Sequence, residues 1–386
     1  MKRYDYIIAG GGLAGLSLAY YMNQSVLRNK DILIIDKDEK KKNDRTWCFW
    51  EKDGSSTFDP IVFRRWQQVY FYGGDGFEQE LDLREYTYKW IKGLDFYNFV
   101  RTDLASNPNI TFLTATIERL TDTTDGGFVI TDAGQFIADY IFDSITPLSL
   151  ENEKRHNMLQ HFKGWEITTP SAVFTPTCPT MMDYRVEQKG VGVRFGYVLP
   201  VSANRALVEY TIFSDKLLSP EEYGRELHTY IRDFLKIEDF SIEEEEFGVI
   251  PMTDERPKTS KRNHVIRIGT SGGYVKASSG YAFNRTQRFT QELVSQLLTA
   301  GKPKYPKRTI RQGFKRLIDS TLLNVLLKER HSGKDIFTRL YQKNPTPRLL
   351  AFMDEDTSFW DDLRVMSTVP LWAFTVGMFD ALVKRF

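Results

Sequence analysis

Residues 4–36 contain three apolar runs, and a glycine-rich turn separates the first run from the second. The apolar run at 4–9 ends in three glycines, 13–23 has the length and apolar content of a helix, and 31–36 is again almost continuously apolar. Uninterrupted apolar strands are typical of parallel strands that are buried on both faces. The pattern predicts a strand–helix–strand unit at the start of an α/β fold.

Further along the chain, strand and helix patterns occupy separate stretches. Short runs separated by glycines over 60–92 indicate a small antiparallel region, and 164–246 is mostly β with one inserted helix at 220–235. The last 85 residues are mainly helical. The remaining predicted elements are a helix at 94–106, strands at 110–113, 128–131 and 138–143 around a hairpin turn at 125–127, a strand at 265–268 and a helix at 286–298.

This order predicts three parts. A discontinuous dinucleotide-binding domain comprises 1–75, 94–160 and 248–300, and an antiparallel β-sheet substrate domain comprises 76–93 and 161–247. A helical C-terminal region comprises 301–386.

The strongest motif is G-x-G-x-x-G at Gly10, Gly12 and Gly15, directly after a strand and opening a helix. The first glycine permits the tight turn, the second lets a pyrophosphate approach, and the third allows close packing of helix and strand. The N–H groups at the start of the helix, which include those of Leu13 and Ala14, favour the phosphates. The turn therefore predicts a site for the ADP part of a cofactor.

Asp36 ends the second strand, where a carboxylate accepts hydrogen bonds from a ribose. We add Lys37 and Arg45 to the predicted cofactor site. The lysine-rich stretch 37–42 as a whole is typical of a solvated loop.

A second glycine-rich segment distinguishes FAD from NAD, since both cofactors use the first motif. Gly269, Gly272, Gly273 and Gly280 follow a predicted strand and precede a long helix. In flavoproteins a late element of this kind returns to the FAD domain and presents backbone N–H groups to the second half of the cofactor, which a plain NAD dehydrogenase does not require. The segment favours FAD.

Composition excludes several classes of protein. The balance of 52 basic and 51 acidic residues argues against a nucleic-acid partner. The two cysteines give no disulfide framework, and the five histidines lie outside any metal-ligand pattern, so we expect no metal. The chain begins almost at once with a strand and 365–379 is too short to span a bilayer, which predicts a cytoplasmic protein.

Eight short motifs in this order resemble the bacterial lycopene β-cyclases. They are NDRTWCFW at 43–50, FKGW at 162–165, MDYR at 182–185, LP at 199–200, LVEYT at 207–211, GVIPM at 248–252, GTSGGYVKASSGY at 269–281 and FMDEDT at 352–357. The resemblance implies a Rossmann-like FAD-binding fold of the class A flavin monooxygenase and geranylgeranyl reductase type. It also implies reduced FAD, NADPH as the reductant, and cyclisation of the ψ-ends of lycopene and related carotenoids to β-rings without net redox change.

Glu209 is the candidate catalytic acid. It lies in a strand, 206–213, that is almost entirely apolar or aromatic, and the acid/base glutamate of the family falls at this position. A carboxyl group in an apolar wall keeps its proton because desolvation raises its pKa. From the residues alone, a carboxylate on the solvated face of the strand is the alternative. The predicted cation–π partners are Trp165, Tyr210 and Phe213, and Asp254 and Glu255 are weaker candidate acids.

Lycopene resides in lipid, so the hypothesis requires contact with the inner face of the cell membrane. An interfacial C-terminal helix is one interpretation, and a helix docked on the substrate domain is the other. The residues that favour the first are Leu371, Trp372, Phe374, Phe379, Lys384 and Arg385. Two other functions remain open, namely a redox flavoprotein (an aromatic hydroxylase or a prenyl-chain reductase) and a non-catalytic carotenoid-binding flavoprotein. Nothing in the sequence indicates an oligomeric state.

Overall fold

The computed structural model describes residues 2–52, 54, 56–257, 262–303 and 309–384. The strands in these ranges are β1 (Lys2–Ala9), β2 (Ile32–Asp36), β3 (Thr46–Lys52), β4 (Arg64–Trp66), β5 (Gln68–Tyr72), β6 (Glu78–Asp82), β7 (Tyr86–Lys92), β8 (Ile110–Thr114), β9 (Ile117–Asp122), β10 (Gly127–Thr131), β11 (Gly134–Asp143), β12 (Asn157–Thr168), β13 (Thr180–Asp183), β14 (Val193–Ser202), β15 (Arg205–Ser214), β16 (Ser241–Thr253) and β17 (Val265–Arg267). The helices are α1 (Leu13–Asn23), α2 (Gly93–Ala105), α3 (Pro220–Thr229), α4 (Phe283–Ala300), α5 (Ile310–Leu327), α6 (Gly333–Lys343), α7 (Thr346–Met353), α8 (Phe359–Met366) and α9 (Leu371–Val383).

The N-terminal strands form a mixed sheet in the order β8-β2-β1-β11-β10-β9, with β17 pairing to β11. Strands β8, β2, β1, β11 and β17 run parallel to their neighbours in this group, whereas β9 and β10 are antiparallel. The C-terminal half of β1 and nearly all of β2 are buried, as their continuous apolar runs predict. Helix α1 joins these two strands and packs against α4, so the early and late glycine segments meet at one end of the sheet.

A second sheet has the order β16-β12-β15-β14-β13-β5-β6 and is antiparallel except for the β5–β13 pair. Its long strands alternate between two buried faces. One face belongs to a large core shared with the C-terminal helices, and the other packs under α3. A small antiparallel sheet has the order β3-β7-β4 and contributes side chains both to the large core of the second sheet and to the core around α1.

Helices α5 to α9 form the C-terminal region, with α9 packed along α5. Gly377 makes this packing close, since a Cβ atom there would lie 2.9 Å from the Val325 side chain. None of the helices in the described ranges is both long and apolar enough to cross a bilayer.

The structure differs from the predicted elements at several points, one of which is β3, a strand that was not predicted. The hairpin turn at 125–127 joins β10 to β9, a strand that the sequence did not predict because its residues are half exposed and carry few apolar side chains. The predicted helix 220–235 is α-helical only to Thr229 and continues as one π-helical turn, Tyr230–Phe234.

Sheet membership also crosses the predicted domain limits. Strand β5, placed in the range 1–75, belongs to the second sheet, and β7, placed in 76–93, belongs to the small sheet with β3. Strands β12 and β16 extend past positions 161 and 248, respectively. A sequence division cannot follow such strands, because their partners are far away in the chain.

Candidate active site

The first glycine turn is built for close approach of the backbone. Gly10 has φ +107°, and a Cβ atom there would lie 2.1 Å from Oγ of Ser144. A Cβ atom on Gly15 would lie 1.9 Å from the carbonyl oxygen of Gly10. At Gly12, by contrast, an added Cβ meets no protein atom within 4 Å. Gly12 is the N-cap of α1 and offers no side-chain cap, so the first N–H groups of the helix are directed to the space beside Gly12.

The Asp36 carboxylate is hydrogen-bonded to the backbone of the glycine turn. One carboxylate oxygen accepts a 2.6 Å hydrogen bond from the Gly11 N–H, and the other accepts from the Asp38 N–H at 2.8 Å. The carboxylate is therefore held at the end of β2 beside the turn. The next predicted residue, Lys37, is exposed.

A cavity of about 400 Å³ opens beside the turn and runs to the second sheet. The predicted site residues that line it are Gly12, Leu13, Ala14, Arg45, Glu209, Gly269 and Gly280. Gly10, Gly15, Asp36, Lys37, Gly272 and Gly273 lie outside its lining. The structure thus brings the helix N-terminus, the late glycine segment and Glu209 to one cavity.

The glycines of the late segment allow its backbone conformation, whereas most of their N–H groups are already paired within the segment. The N–H groups of Gly272, Gly273 and Gly280 donate to carbonyl groups within the segment, to Ile268 and Gly269, Thr270, and Lys276, respectively. The expectation that these glycines present N–H groups to a cofactor is therefore wrong for the observed conformation. Gly269, Gly273 and Gly280 instead have positive φ, and an added Cβ at Gly269 would lie 2.6 Å from Cβ of Ala14.

A buried ion cluster anchors this segment to the C-terminal helices. Lys276 Nζ lies 2.7 Å from Asp319 of α5 and 2.9 Å from Glu355, and Arg285 lies 3.0 Å from Glu355. Burial alone would raise the pKa of Glu355, but the charges of Lys276 and Arg285 outweigh it and hold the pKa at about 2. The glycine segment is thereby fixed to α5 and to Glu355, which follows α7.

Glu209 is buried, with 8% of its surface exposed, so its placement on a solvated face is wrong. In register across the sheet, Tyr197, Glu209, Gly164 and Glu246 form one row from β14 to β16. Burial raises the pKa of Glu209 well above its ordinary value, and the neighbouring Glu246 charge adds to this rise. The surroundings of Glu209 therefore favour the protonated form of its carboxyl group.

Two of the three predicted aromatic partners lie on the face of the second sheet opposite Glu209. Trp165 and Tyr210 pack in the cluster under α3, because residues next to Gly164 and Glu209 must point the other way. Phe213 shares the face of Glu209 but is not part of the cavity lining. The aromatic side chains that line the cavity include Tyr88, Tyr197, Tyr281 and Phe162. The alternation of side chains along β15 was the signal that could have excluded Tyr210.

Asp254 belongs to a structural network. Its carboxylate accepts from the backbone N–H of His156 and lies 2.9 Å from His156 Nδ1, and Nδ2 of Asn324 lies 2.9 Å from His156 Nε2. Burial raises the pKa of Asp254, but the hydrogen bonds from His156 outweigh it and hold the pKa at about 2. Asp254 and Glu255 are both absent from the cavity lining, so neither is placed to act as an acid there.

Two buried polar atoms in the cavity wall have no hydrogen-bond partner in the described part of the chain. They are Oε1 of Gln160 and Oγ of Ser279. Buried polar atoms are nearly always paired, so these two indicate a polar ligand. No cluster of metal-ligating side chains is found among the described residues.

The comparison with known families decides the family. The model of the lycopene cyclase protein family matches residues 5–382. The chain belongs to this family. It is 23% identical to the lycopene beta-cyclase of Pseudescherichia vulneris over 385 residues, which cover 95% of this chain and 94% of that protein. The resemblance seen in the sequence motifs is confirmed.

Solved structures support the fold of this lycopene cyclase family member. A geranylgeranyl bacteriochlorophyll reductase-like protein from Thermoplasma acidophilum aligns with TM-score 0.68 and 11% identity, over 97% of this chain and 98% of that one. A flavoprotein/dehydrogenase from Cytophaga hutchinsonii aligns with TM-score 0.62 and 12% identity, over 99% and 100%. The predicted fold class is therefore confirmed.

Proposed function

We propose that this member of the lycopene cyclase family is a lycopene β-cyclase, which converts the ψ-end groups of lycopene to β-rings through γ-carotene to β-carotene. The observation that carries the proposal is the buried Glu209 carboxyl group in the same cavity as both glycine segments. Cyclisation begins by protonation of an alkene, which requires an acid shielded from water. Glu209 suits that requirement because burial raises its pKa and so favours the protonated form.

The residues of the cavity fit FAD as the cofactor. The open space beside Gly12 at the N-terminus of α1 suits the pyrophosphate, with Gly10, Gly15, Leu13 and Ala14 shaping the turn. The unpaired Gln160 and Ser279 atoms suit a polar ring edge. In its reduced, anionic form FAD would supply negative charge that stabilises a carbocation, with NADPH as the reductant. The other residues assigned to this site are Asp36, Lys37, Arg45, Gly269, Gly272, Gly273 and Gly280.

The chain itself supplies the acid and the walls. Glu209 donates its proton to the terminal double bond of a ψ-end, and the next double bond attacks the resulting tertiary cation. The rings of Tyr88, Tyr197 and Tyr281, all buried or nearly so, offer cation–π stabilisation of about 1–2 kcal/mol each. Tyr197 and Tyr281 are held together by hydroxyl groups 3.5 Å apart. Loss of a ring proton completes the β-ring without net oxidation or reduction.

The test is anaerobic turnover of lycopene in liposomes by the purified protein with FAD and NADPH. We expect γ-carotene and then β-carotene, with NADPH consumed only to reduce the flavin once and not in proportion to the rings formed. An identical reaction in which FAD stays oxidised is the control and is expected to form no rings.

Other outcomes of this assay would point to the other functions. NADPH or O₂ consumption in step with product formation would identify a redox flavoprotein. Tight binding of lycopene with no change in its absorption spectrum or chromatographic mobility would identify a carotenoid-binding protein. Either result would overturn the proposed cyclisation.

We also propose that the protein works from the cytoplasm at the inner face of the membrane, through apolar side chains on α8 and α9. Trp360, Leu371, Trp372 and Phe379 are between 61% and 81% exposed, whereas Phe374 is buried against α5. Thus α9 both docks on the protein and presents an apolar side to its surroundings, and Arg385 lies outside the described residues. Exposed aromatic side chains of this kind favour a lipid interface.

Replacement of both Trp360 and Trp372 by serine is expected to weaken binding to liposomes about tenfold per residue, or ~1.4 kcal/mol each. The measurement is co-flotation with liposomes over a range of lipid concentrations. Val26→Ser is the control, because Val26 is 74% exposed but lies just after α1 and not on α8 or α9. Equal flotation of the double variant and the wild type would contradict the assignment of this surface.

A further inference from the structure

Glu209 shares its row of the second sheet with another carboxylate. Gly164 of β12 is in register with Glu209 of β15 on one side and with Glu246 of β16 on the other. Residues in register on neighbouring strands point to the same face, so both carboxyl side chains flank a position without a side chain. A Cβ atom on Gly164 would lie 2.9 Å from Cγ of Glu209. The Glu209 side chain therefore extends over Gly164 toward Glu246, where a larger residue than glycine would obstruct it, and both carboxyl groups line the cavity.

The two carboxyl groups differ in their hydrogen bonds. Glu246 accepts two hydrogen bonds from Thr46, from the backbone N–H at 3.0 Å and from Oγ1 at 2.7 Å. Burial raises the pKa of Glu246, while these hydrogen bonds and the charge of Arg45 oppose the rise. No hydrogen bond to the Glu209 carboxyl group is found in the described residues, and its pKa is raised further. The hydrogen bonds from Thr46 to Glu246, and the lack of one to Glu209 in the described residues, therefore favour the proton on Glu209 and the charge on Glu246.

We propose that Glu246 is the base of the reaction, the carboxylate that removes the ring proton after Glu209 has protonated the ψ-end. The inference rests on the proposed function. The two backbones are two strand spacings apart, about 10 Å, and both side chains face the cavity, so an end group in the cavity over this row lies beside both carboxyl groups. The proton enters the substrate at one carbon and leaves from another, and carboxylates on both sides of Gly164 match these two positions.

The step balances without an oxidant or reductant. The Glu209 proton adds to the terminal double bond, and the electrons of the next double bond form the ring bond and leave a cation inside the ring. Glu246 takes a proton from the carbon beside that cation, and the electrons of the broken C–H bond become the ring double bond. Glu209 is then a carboxylate and Glu246 a carboxylic acid. Transfer of one proton from Glu246 to Glu209 restores the starting state.

The test is the ring type formed by Glu246→Gln. We expect β-ring formation to fall about 10²-fold or more, and the remaining product to shift from β-rings to ε- or γ-rings. The shift is expected because a ring cation with no base beside its usual proton loses a proton from another neighbouring carbon. Chromatography and mass spectrometry of the carotenoids give both readouts, and flavin absorbance of the purified variant shows whether its site is intact.

Glu245→Gln is the matched control. Glu245 is the next residue on the same strand, its side chain points to the opposite face, and it lies 3.1 Å from Lys163. This variant is expected to form β-rings at the wild-type rate.

Each remaining outcome decides the inference. A slower Glu246→Gln that still makes only β-rings would overturn the assignment of Glu246 as the base, because a merely structural role lowers the rate without changing the ring type. If Glu246→Gln makes no ring, Glu246→Ala is assayed with added formate. Restored β-ring formation supports the base, and no restoration with flavin still bound overturns it. Wild-type protein that forms no ring from lycopene overturns the proposed function itself, which is a separate result.

Discussion

Replacement of Glu209 by glutamine is expected to lower ring formation about 10²- to 10⁴-fold while FAD remains bound, since this is the usual contribution of a general acid. Glutamine keeps the size and polarity of the side chain but carries no acidic proton. Glu209 is buried in the cavity wall, so water cannot replace it directly. The measurement is initial rate with lycopene liposomes, together with flavin content of the purified variant.

Glu226→Gln provides the control for Glu209. Glu226 is a half-buried glutamate on α3, next to the opposite face of the sheet, where its carboxylate accepts from the Tyr210 hydroxyl at 3.4 Å. We expect wild-type activity from this variant. Undiminished activity of Glu209→Gln would remove Glu209 from its role.

The role of Glu209 as the acid determines how activity should change with pH. Only protonated Glu209 can donate, and burial raises its pKa well above the ordinary value. Activity is therefore expected to be present below that raised pKa and to be lost as pH rises through it. A rate that increases over the same range would contradict the role of Glu209 as the acid.

The parts of the site that could be predicted from sequence are those encoded by local spacing. The turn from Gly10 to Gly15 and the position of Asp36 follow from a continuous strand, a helix and a second strand, all within 36 residues. Glu209 stood out because a single carboxylate interrupts an otherwise apolar strand. In both cases the information lies in neighbours along the chain, where side-chain periodicity is a reliable guide.

What could not be predicted depends on register between distant strands. Glu246 lies within a run of four glutamates, and sequence alone gives no reason to choose it from its neighbours. Only the alignment of β16 with Gly164, and through it with Glu209, places Glu246 on the cavity side. The cavity tyrosines come from β7, α2, β14 and the loop before α4, and no spacing relates these four elements.

Alanine substitutions at Gly12 and Gly15 are expected to separate cofactor binding from folding. Gly15→Ala places a Cβ atom 1.9 Å from the Gly10 carbonyl oxygen, so the strand and helix must move apart. We expect a loss of about 1–3 kcal/mol in the free energy of unfolding, as for other overpacked positions. An alanine Cβ at position 12 meets no protein atom within 4 Å and φ there is an ordinary −89°, so the flavin-free protein should lose only about 0.5–1 kcal/mol, because alanine is a poorer N-cap than glycine.

The effect of Gly12→Ala is expected in FAD affinity instead, with a loss of about tenfold or more, because the added methyl group occupies the space through which a pyrophosphate approaches the N–H groups of α1. Denaturant unfolding of the flavin-free protein and flavin titration measure the two effects separately. Gly224→Ala is the matched control, since a Cβ atom there also meets no protein atom within 4 Å but lies on α3, away from the cavity lining. If Gly12→Ala bound FAD as tightly as this control, the pyrophosphate would have to lie elsewhere, and the turn would be a packing feature of β1 and α1 alone.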